Sequence, residues 1–201
     1  MGHPHSASLT TGALFSGNRL TSLALLSGVD PQSIKVVAVQ PENMAKVLKQ
    51  REVDAIASWQ PFAYQAEQAT PGARVIPDGG FYAVAFNLVI SRKLIGNRDD
   101  ELAKLLRALV RAENFIAEQP KQAQEVLLSR LQLEQPYVDW LWPRYRYRLT
   151  LGQSLLTTLE SEARWARAEG LVSASKSPNY LKFIHAGPLR KVRPTAVGIN
   201  E

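Results

Sequence analysis

Side chains that could do catalytic chemistry are scarce in this sequence. It has no cysteine and three histidines, His3, His5 and His185. The first two lie close together near the N-terminus, where an exposed end segment is a simpler interpretation than a weak metal site. His185 lies just before a Gly-Pro pair and is typical of a loop or cap. No nucleophile-elbow, zinc-protease or phosphate-loop motif occurs. We therefore predict no catalytic residue, no metal site and no cofactor.

A basic and aromatic segment, WLWPRYRYRL, occupies residues 140–149. Its three arginines alternate with two tyrosines, which predicts a strand over residues 144–149 with the arginines on one face and the tyrosines on the other. Binding of single-stranded nucleic acid is an alternative, but this separation favours a solvated arginine face over a buried tyrosine face. The net charge is +6, but the basic residues are not concentrated in a tail or block. We therefore predict no nucleic-acid partner.

Candidate ligand-binding residues stand where predicted strands lead into predicted helices, at residues 11–13, 39–41 and 58–61. In a parallel sheet these junctions share one edge, where helix N-termini present N–H groups and partial positive charge to an anion. Gly12 would let the backbone approach a ligand, and Trp59 would cover an apolar tail. Alternatively, Gly12 forms a turn and Trp59 belongs to the core. The predicted ligand-binding residues are Thr10, Thr11, Gly12, Ala13, Ser58, Trp59 and Gln60.

Short β-branched runs alternate with helical patterns in the first half of the chain, which predicts βαβ units and a parallel sheet in an α/β fold. Prolines at helix starts and a glycine at a helix end mark the boundaries. Strands are predicted over residues 7–11, 34–39, 53–58 and 74–77, with helices over 13–27 and after Pro41 and Pro61.

The second half is mostly helical. An apolar run over residues 81–91 leads into it and could cross between two lobes. Helices are predicted from 99 to 118, after Pro120, over 134–142 and 153–169, and after Pro178. The sequence has no apolar run near 18 residues and no signal-peptide pattern at its N-terminus, so we expect no membrane insertion of this chain.

Residues 50–62, QREVDAIASWQPF, resemble the "G-x-V-D-A … W-x-P-(F/Y)" segment of ABC-transporter solute-binding proteins of the nitrate/sulfonate/taurine type. The spacing of Gly28-Val29-Asp30-Pro31 and the C-terminal pattern of residues 162–197 also resemble that family. The family's Gly-Thr or Gly-Ser at the anion-binding helix is Gly12-Ala13 here, which leaves the class of ligand open.

The resemblance implies a periplasmic-binding-protein-like (type II) architecture of two α/β lobes. We expect this chain to hold one complete lobe and the C-terminal helical part of the other, without most of the N-terminal lobe. The implied organisation is a disordered N-terminal segment 1–6, the second lobe 7–80, a crossover or hinge strand 81–91, and a helical return segment 92–201.

The resemblance also implies a function that is not enzymatic. The chain would capture a small anionic or organic solute, such as a sulfonate, taurine or nitrate, and deliver it to an ABC permease outside the cytoplasm. One alternative is the extracytoplasmic ligand-sensing domain of a membrane signalling protein, with a fused signalling domain as its partner. Another is a protein like the pyrimidine-precursor synthases of thiamine biosynthesis, which the scarcity of histidine and cysteine argues against.

Overall fold

The chain forms two compact units in this computed structural model, which describes residues 6–9, 13–76 and 85–199, with side chains from residue 17 onward. The first unit comprises Met1–Val84 and Thr158–Ser177, and the second comprises Ala85–Thr157 and Pro178–Glu201. Residues 158–177 thus join the first unit, although the predicted return segment includes them. The predicted boundaries of the two lobes stay predictions.

A three-stranded parallel sheet is the centre of the first unit. Its strands are β1 (Ser6–Leu9), β2 (Lys35–Ala38) and β3 (Ala55–Ala57), in the order β2-β1-β3. The last residue of β1 pairs with the last residues of β2 and β3. All three carboxyl ends therefore lie at one edge, which confirms the predicted parallel sheet and the α/β class.

Helices follow each of these strands. They are α1 (Ala13–Leu26), α2 (Met44–Lys49) and α3 (Phe62–Ala69). Proline fixes its φ at a value suited to a first helical turn, and Pro41 begins a 3-10 turn that leads into α2. Gly28, just after α1, has φ +70°, a left-handed conformation that glycine adopts without steric cost. These local signals explain why the helix starts and ends were predictable.

Tight packing fixes α1 in the first unit against helix α7 (Gln153–Ala168). Gly17 lies so close to the ring of Trp165 that an added Cβ atom would overlap it. The Trp165 indole N–H donates to Thr21 Oγ1 at 3.1 Å, and Ser161 Oγ donates to Asn18 Oδ1 at 3.5 Å. Shape and hydrogen bonding together therefore hold the helix that follows β1.

Most of the second unit is helical. Its helices, apart from the start of α7, are α4 (Asp99–Glu118), α5 (Pro120–Leu131), α6 (Gln135–Leu141) and α8 (Gly187–Val192). The predicted helices over 99–118, after Pro120 and over 134–142 are confirmed. In place of the predicted helix after Pro178 there is a short 3-10 helix, Tyr180–Phe183.

The apolar core of the second unit forms where α4 meets α8 and the end of the chain. Leu106, Leu189 and Ala196 are buried together. An isolated parallel bridge joins Leu151 to Val197, both of which pack on this cluster. Burying such side chains supplies about 25 cal/mol per Å² of apolar surface.

Three sequence-predicted strands are wrong wherever the structure describes them. Residues 74–76 have no regular structure, and Pro77 lies outside the described residues. Residues 85–91 of the predicted crossover strand and residues 145–149 of the arginine-tyrosine segment are not strands either. A strand exists only with a hydrogen-bonded neighbour, and an apolar or alternating pattern does not supply one. The alternation still predicts exposure: the three arginines are exposed and the two tyrosines are half-buried.

No helix within the described ranges is both long enough and apolar enough to cross a membrane.

Candidate ligand site

The carboxyl edge of the parallel sheet brings together the residues that follow β2 and β3. Gln40 follows β2 in an extended conformation, and Ser58 follows β3 directly. Strand β1 also ends at this edge, and α1 is the next element along the chain. In open α/β sheets, ligands bind outside the carboxyl ends of the strands. This edge is therefore the candidate ligand site of the first unit.

Trp59 is a large apolar side chain that is exposed at this edge. It is 41% exposed, which places it outside the core. Its ring meets that of Phe62 edge to face, with the centroids 6.2 Å apart. This edge-to-face arrangement is favourable for aromatic pairs and orients Trp59 against Phe62, the first residue of α3. An exposed, oriented indole can pack on the apolar part of a bound molecule.

Gln60 and Ser58 supply polar groups beside this indole. Gln60 Oε1 accepts the backbone N–H of Tyr64 at 3.4 Å, and the Trp59 carbonyl accepts the N–H of Ala63 at 3.4 Å. Two amides near the start of α3 are therefore occupied, and Pro61 has no N–H. The sequence-based expectation that α3 directs free amides at an anion is wrong for these positions. The Ser58 hydroxyl makes a long 3.4 Å bond to the neighbouring Trp59 carbonyl.

The other predicted site residues occupy positions 10–13 of the sequence. Ala13 is the first residue of α1, and its side chain is not among those described. Thr10, Thr11 and Gly12 lie outside the described residues. Of the seven predicted site residues, the structure thus brings Ser58, Trp59 and Gln60 to the sheet edge together. The predicted ligand-binding role stays a prediction.

Two carboxylates of the second unit are held in specific contacts. Asp99 accepts a hydrogen bond from His185 Nε2 at 2.9 Å and one from the Gly96 N–H at 3.0 Å. Both bonds, that from His185 first, lower the pKa of the Asp99 carboxyl. The predicted loop position of His185 is confirmed, but its contact with Asp99 was not foreseen. No local signal joins residues 86 positions apart.

Glu113 is the second carboxylate, on the last turns of α4. Partial burial acts to raise its pKa, but bonds from the Leu149 N–H at 2.8 Å and from Arg193 at 2.6 Å outweigh burial. The pKa of Glu113 therefore lies below its usual value. This contact joins three segments of the unit and has the character of a structural ion pair.

Within the described residues, no three His, Asp or Glu side chains are grouped closely enough to hold a metal ion.

An open pocket near the end of the described residues was not predicted from the sequence. Its volume is about 510 Å³, and Lys182, His185 and Arg190 are among its lining residues. Basic residues are common in surface turns, so the sequence does not indicate which of them line a pocket.

Comparison with protein-family models gives one match, over residues 7–129, to a family described as NMT1-like. The match covers more than half of the 201 residues. It confirms the resemblance to the nitrate/sulfonate/taurine-binding family. Comparisons with curated proteins and with solved structures find no match.

Proposed function

Because this chain belongs to the NMT1-like family, we propose that it captures a small anionic or organic solute and delivers it to an ABC importer. The family indicates a solute-binding role. More specifically, we propose that the solute resembles a sulfonate, taurine or nitrate and that it is bound without chemical conversion.

The observation that carries this proposal is the shared carboxyl edge of β1, β2 and β3. Three strand ends lie side by side there, and each strand is followed along the chain by a helix. Helix α1 has 14 residues, long enough for a full macrodipole with about half a positive charge at its N-terminus. We propose that Ala13 at this N-terminus and the residues that precede it in sequence, Thr10, Thr11 and Gly12, hold the anionic group.

Trp59 would hold the other end of the solute. Its indole is exposed at the same edge and oriented by Phe62. Ser58 and Gln60 flank it and can rotate polar groups toward the solute, because their present hydrogen bonds are long. An anionic head at α1 and an apolar tail on Trp59 is the arrangement that an alkanesulfonate requires.

The proposal extends to the biological setting. Family members are typically extracytoplasmic binding proteins. We propose that this chain works in that compartment as part of a two-lobe architecture that closes on the solute, and that an ABC permease recognises the closed form.

Calorimetric titration of the purified chain with nitrate, bicarbonate, taurine, thiamine precursors and alkanesulfonates of one to four carbons tests this function. We expect saturable binding of at least one of these. For the alkanesulfonates, affinity should rise by up to about fourfold for each methylene that is buried, since a buried methylene contributes roughly 0.8 kcal/mol.

Substitution of Trp59 tests whether its indole binds the apolar part of the solute, as opposed to a general effect of exposed apolar surface. Trp59→Ala should flatten the dependence on chain length, whereas Trp59→Phe should keep most of it. Phe86→Ala is the matched control, because Phe86 is an 83% exposed ring in the second unit and its loss should not change affinity. Absence of binding to every solute in the panel would reject the proposed function.

A further inference from the structure

An open pocket in the second unit lies between the 3-10 helix Tyr180–Phe183 and helix α8. Its volume is about 510 Å³, within the range of roughly 300–1,000 Å³ usual for small-molecule sites. All of its lining residues fall between Leu181 and Arg190. The pocket is therefore built by one short, continuous stretch of chain.

The lining combines exposed basic side chains with apolar side chains that are less exposed. Lys182 and Arg190 are exposed and contribute positive charge, and His185 adds an imidazole. Leu181, Ile184 and Ala186 are the apolar lining residues, half-buried or buried. None of the described lining residues carries a carboxylate, and the Asp99 carboxylate contacts His185 from outside the lining. Such a combination suits a molecule with an anionic group and a short apolar body.

Local hydrogen bonds fix the shape of this stretch before any ligand arrives. Asn179 Oδ1 accepts the Leu181 N–H at 3.1 Å, and the Ile184 N–H donates to the Leu181 carbonyl at 3.2 Å. The Arg190 N–H donates to the Ala186 carbonyl at 2.9 Å. A preformed pocket binds with less loss of conformational entropy than one that must be ordered.

His185 is oriented from outside the pocket. Its Nε2 donates to Asp99 at 2.9 Å, and both side chains are about one-quarter exposed. Asp99 is held in turn by the Gly96 N–H. This contact occupies one ring nitrogen and leaves the rest of the ring as part of the pocket wall.

From these observations we propose a second ligand site, at which Lys182, His185 and Arg190 bind a small organic anion, a carboxylate or sulfonate, whose apolar body rests on Leu181 and Ile184. This inference is independent of the sheet-edge site and of the importer function.

Titration of the full chain with hexanoate at constant pH and ionic strength tests the proposal. Nuclear magnetic resonance would follow the His185 ring and the Gly187 amide, with His185→Gln used to assign the ring signal among the three histidines. We expect saturable shifts of both signals. Acetate, which lacks the apolar body, should bind more weakly.

Charge-matched variants decide whether the pocket is responsible. Lys182→Gln should weaken hexanoate binding by about two- to fivefold, the range expected for a single exposed charge, and Lys182→Gln/Arg190→Gln should weaken it further. Lys121→Gln/Arg130→Gln removes the same charge from exposed positions on α5 and should leave binding unchanged. The single variant keeps the test valid if the double variant unfolds.

Two results would overturn the proposal. Shifts that rise linearly without saturation would show unspecific contact. Equal weakening in the pocket and α5 variants would show an effect of net charge alone. Trp59→Ala should leave the hexanoate response intact, so failure of this site and failure of the sheet-edge site can be told apart.

Discussion

Gln60 shows how a single residue can influence both the local fold and the proposed site. Its amide oxygen accepts the Tyr64 N–H near the start of α3, so it acts as a local cap. It also lies next to Trp59 at the carboxyl edge of the sheet. A negative charge at this position would favour the helix start but would repel an anionic solute.

Gln60→Glu is therefore expected to weaken anion binding by about fivefold or more at low salt, while the free energy of unfolding stays the same or rises slightly. The weakening should shrink as salt is added, because exposed charges are screened. Calorimetry at two ionic strengths and denaturant unfolding would measure both quantities. Gln68→Glu is the control, since it adds the same charge near the other end of α3. An equal loss of affinity in both variants would contradict a local effect.

Among the secondary-structure elements, α4 depends on contacts made far from it in sequence. Glu113 accepts a hydrogen bond from the Leu149 N–H and forms an ion pair with Arg193. These bonds connect α4 to the segment before α7 and to the end of α8. The depressed pKa of Glu113 means that the folded state favours the ionised carboxylate more than the unfolded chain does.

Glu113→Gln should consequently lower the free energy of unfolding at neutral pH by about 1–2 kcal/mol, the scale of a lost charged hydrogen bond. A depressed folded pKa gives stability that is present above the unfolded value of 4.5 and is lost as pH falls through the lower folded pKa. The difference between wild type and variant should therefore vanish in acid. Denaturant unfolding from pH 7 to pH 3 measures it.

Glu118→Gln is the matched control for that experiment. Glu118 is the last residue of the same helix and is exposed. Its substitution should change stability little at any pH. A difference for Glu113→Gln that persists unchanged at pH 3 would contradict the role assigned to its charge.

Over the whole molecule, the features that were predictable from the sequence are those set by residues close together along the chain. Pro41, Pro61 and Gly28 act within one turn, so the starts and ends of their helices were foreseen. The parallel sheet followed from the alternation of strands and helices. Ser58, Trp59 and Gln60 reach the predicted edge because that position is a property of every parallel βαβ unit.

Sequence failed where structure depends on a distant partner. The alternation over residues 144–149 correctly predicted which side chains are exposed. It also predicted a strand, but the segment has no hydrogen-bonded neighbouring strand within the described residues. The contact of Trp165 with Thr21 spans 144 positions, and nothing local announces it. The pocket beside His185 was missed for the same reason, because its turn geometry and the Asp99 contact arise only on folding.

The most direct test of the central claim is to map a bound solute onto the backbone amides by nuclear magnetic resonance. With the solute that binds in calorimetry, saturable shifts should concentrate at the carboxyl edge of the sheet, at Gln40, Trp59 and Phe62. The opposite edge, at Lys35 and Ala55, should stay unchanged. Shifts confined to that opposite edge, or to Lys182–Arg190 alone, would contradict a solute site at the carboxyl ends of the strands.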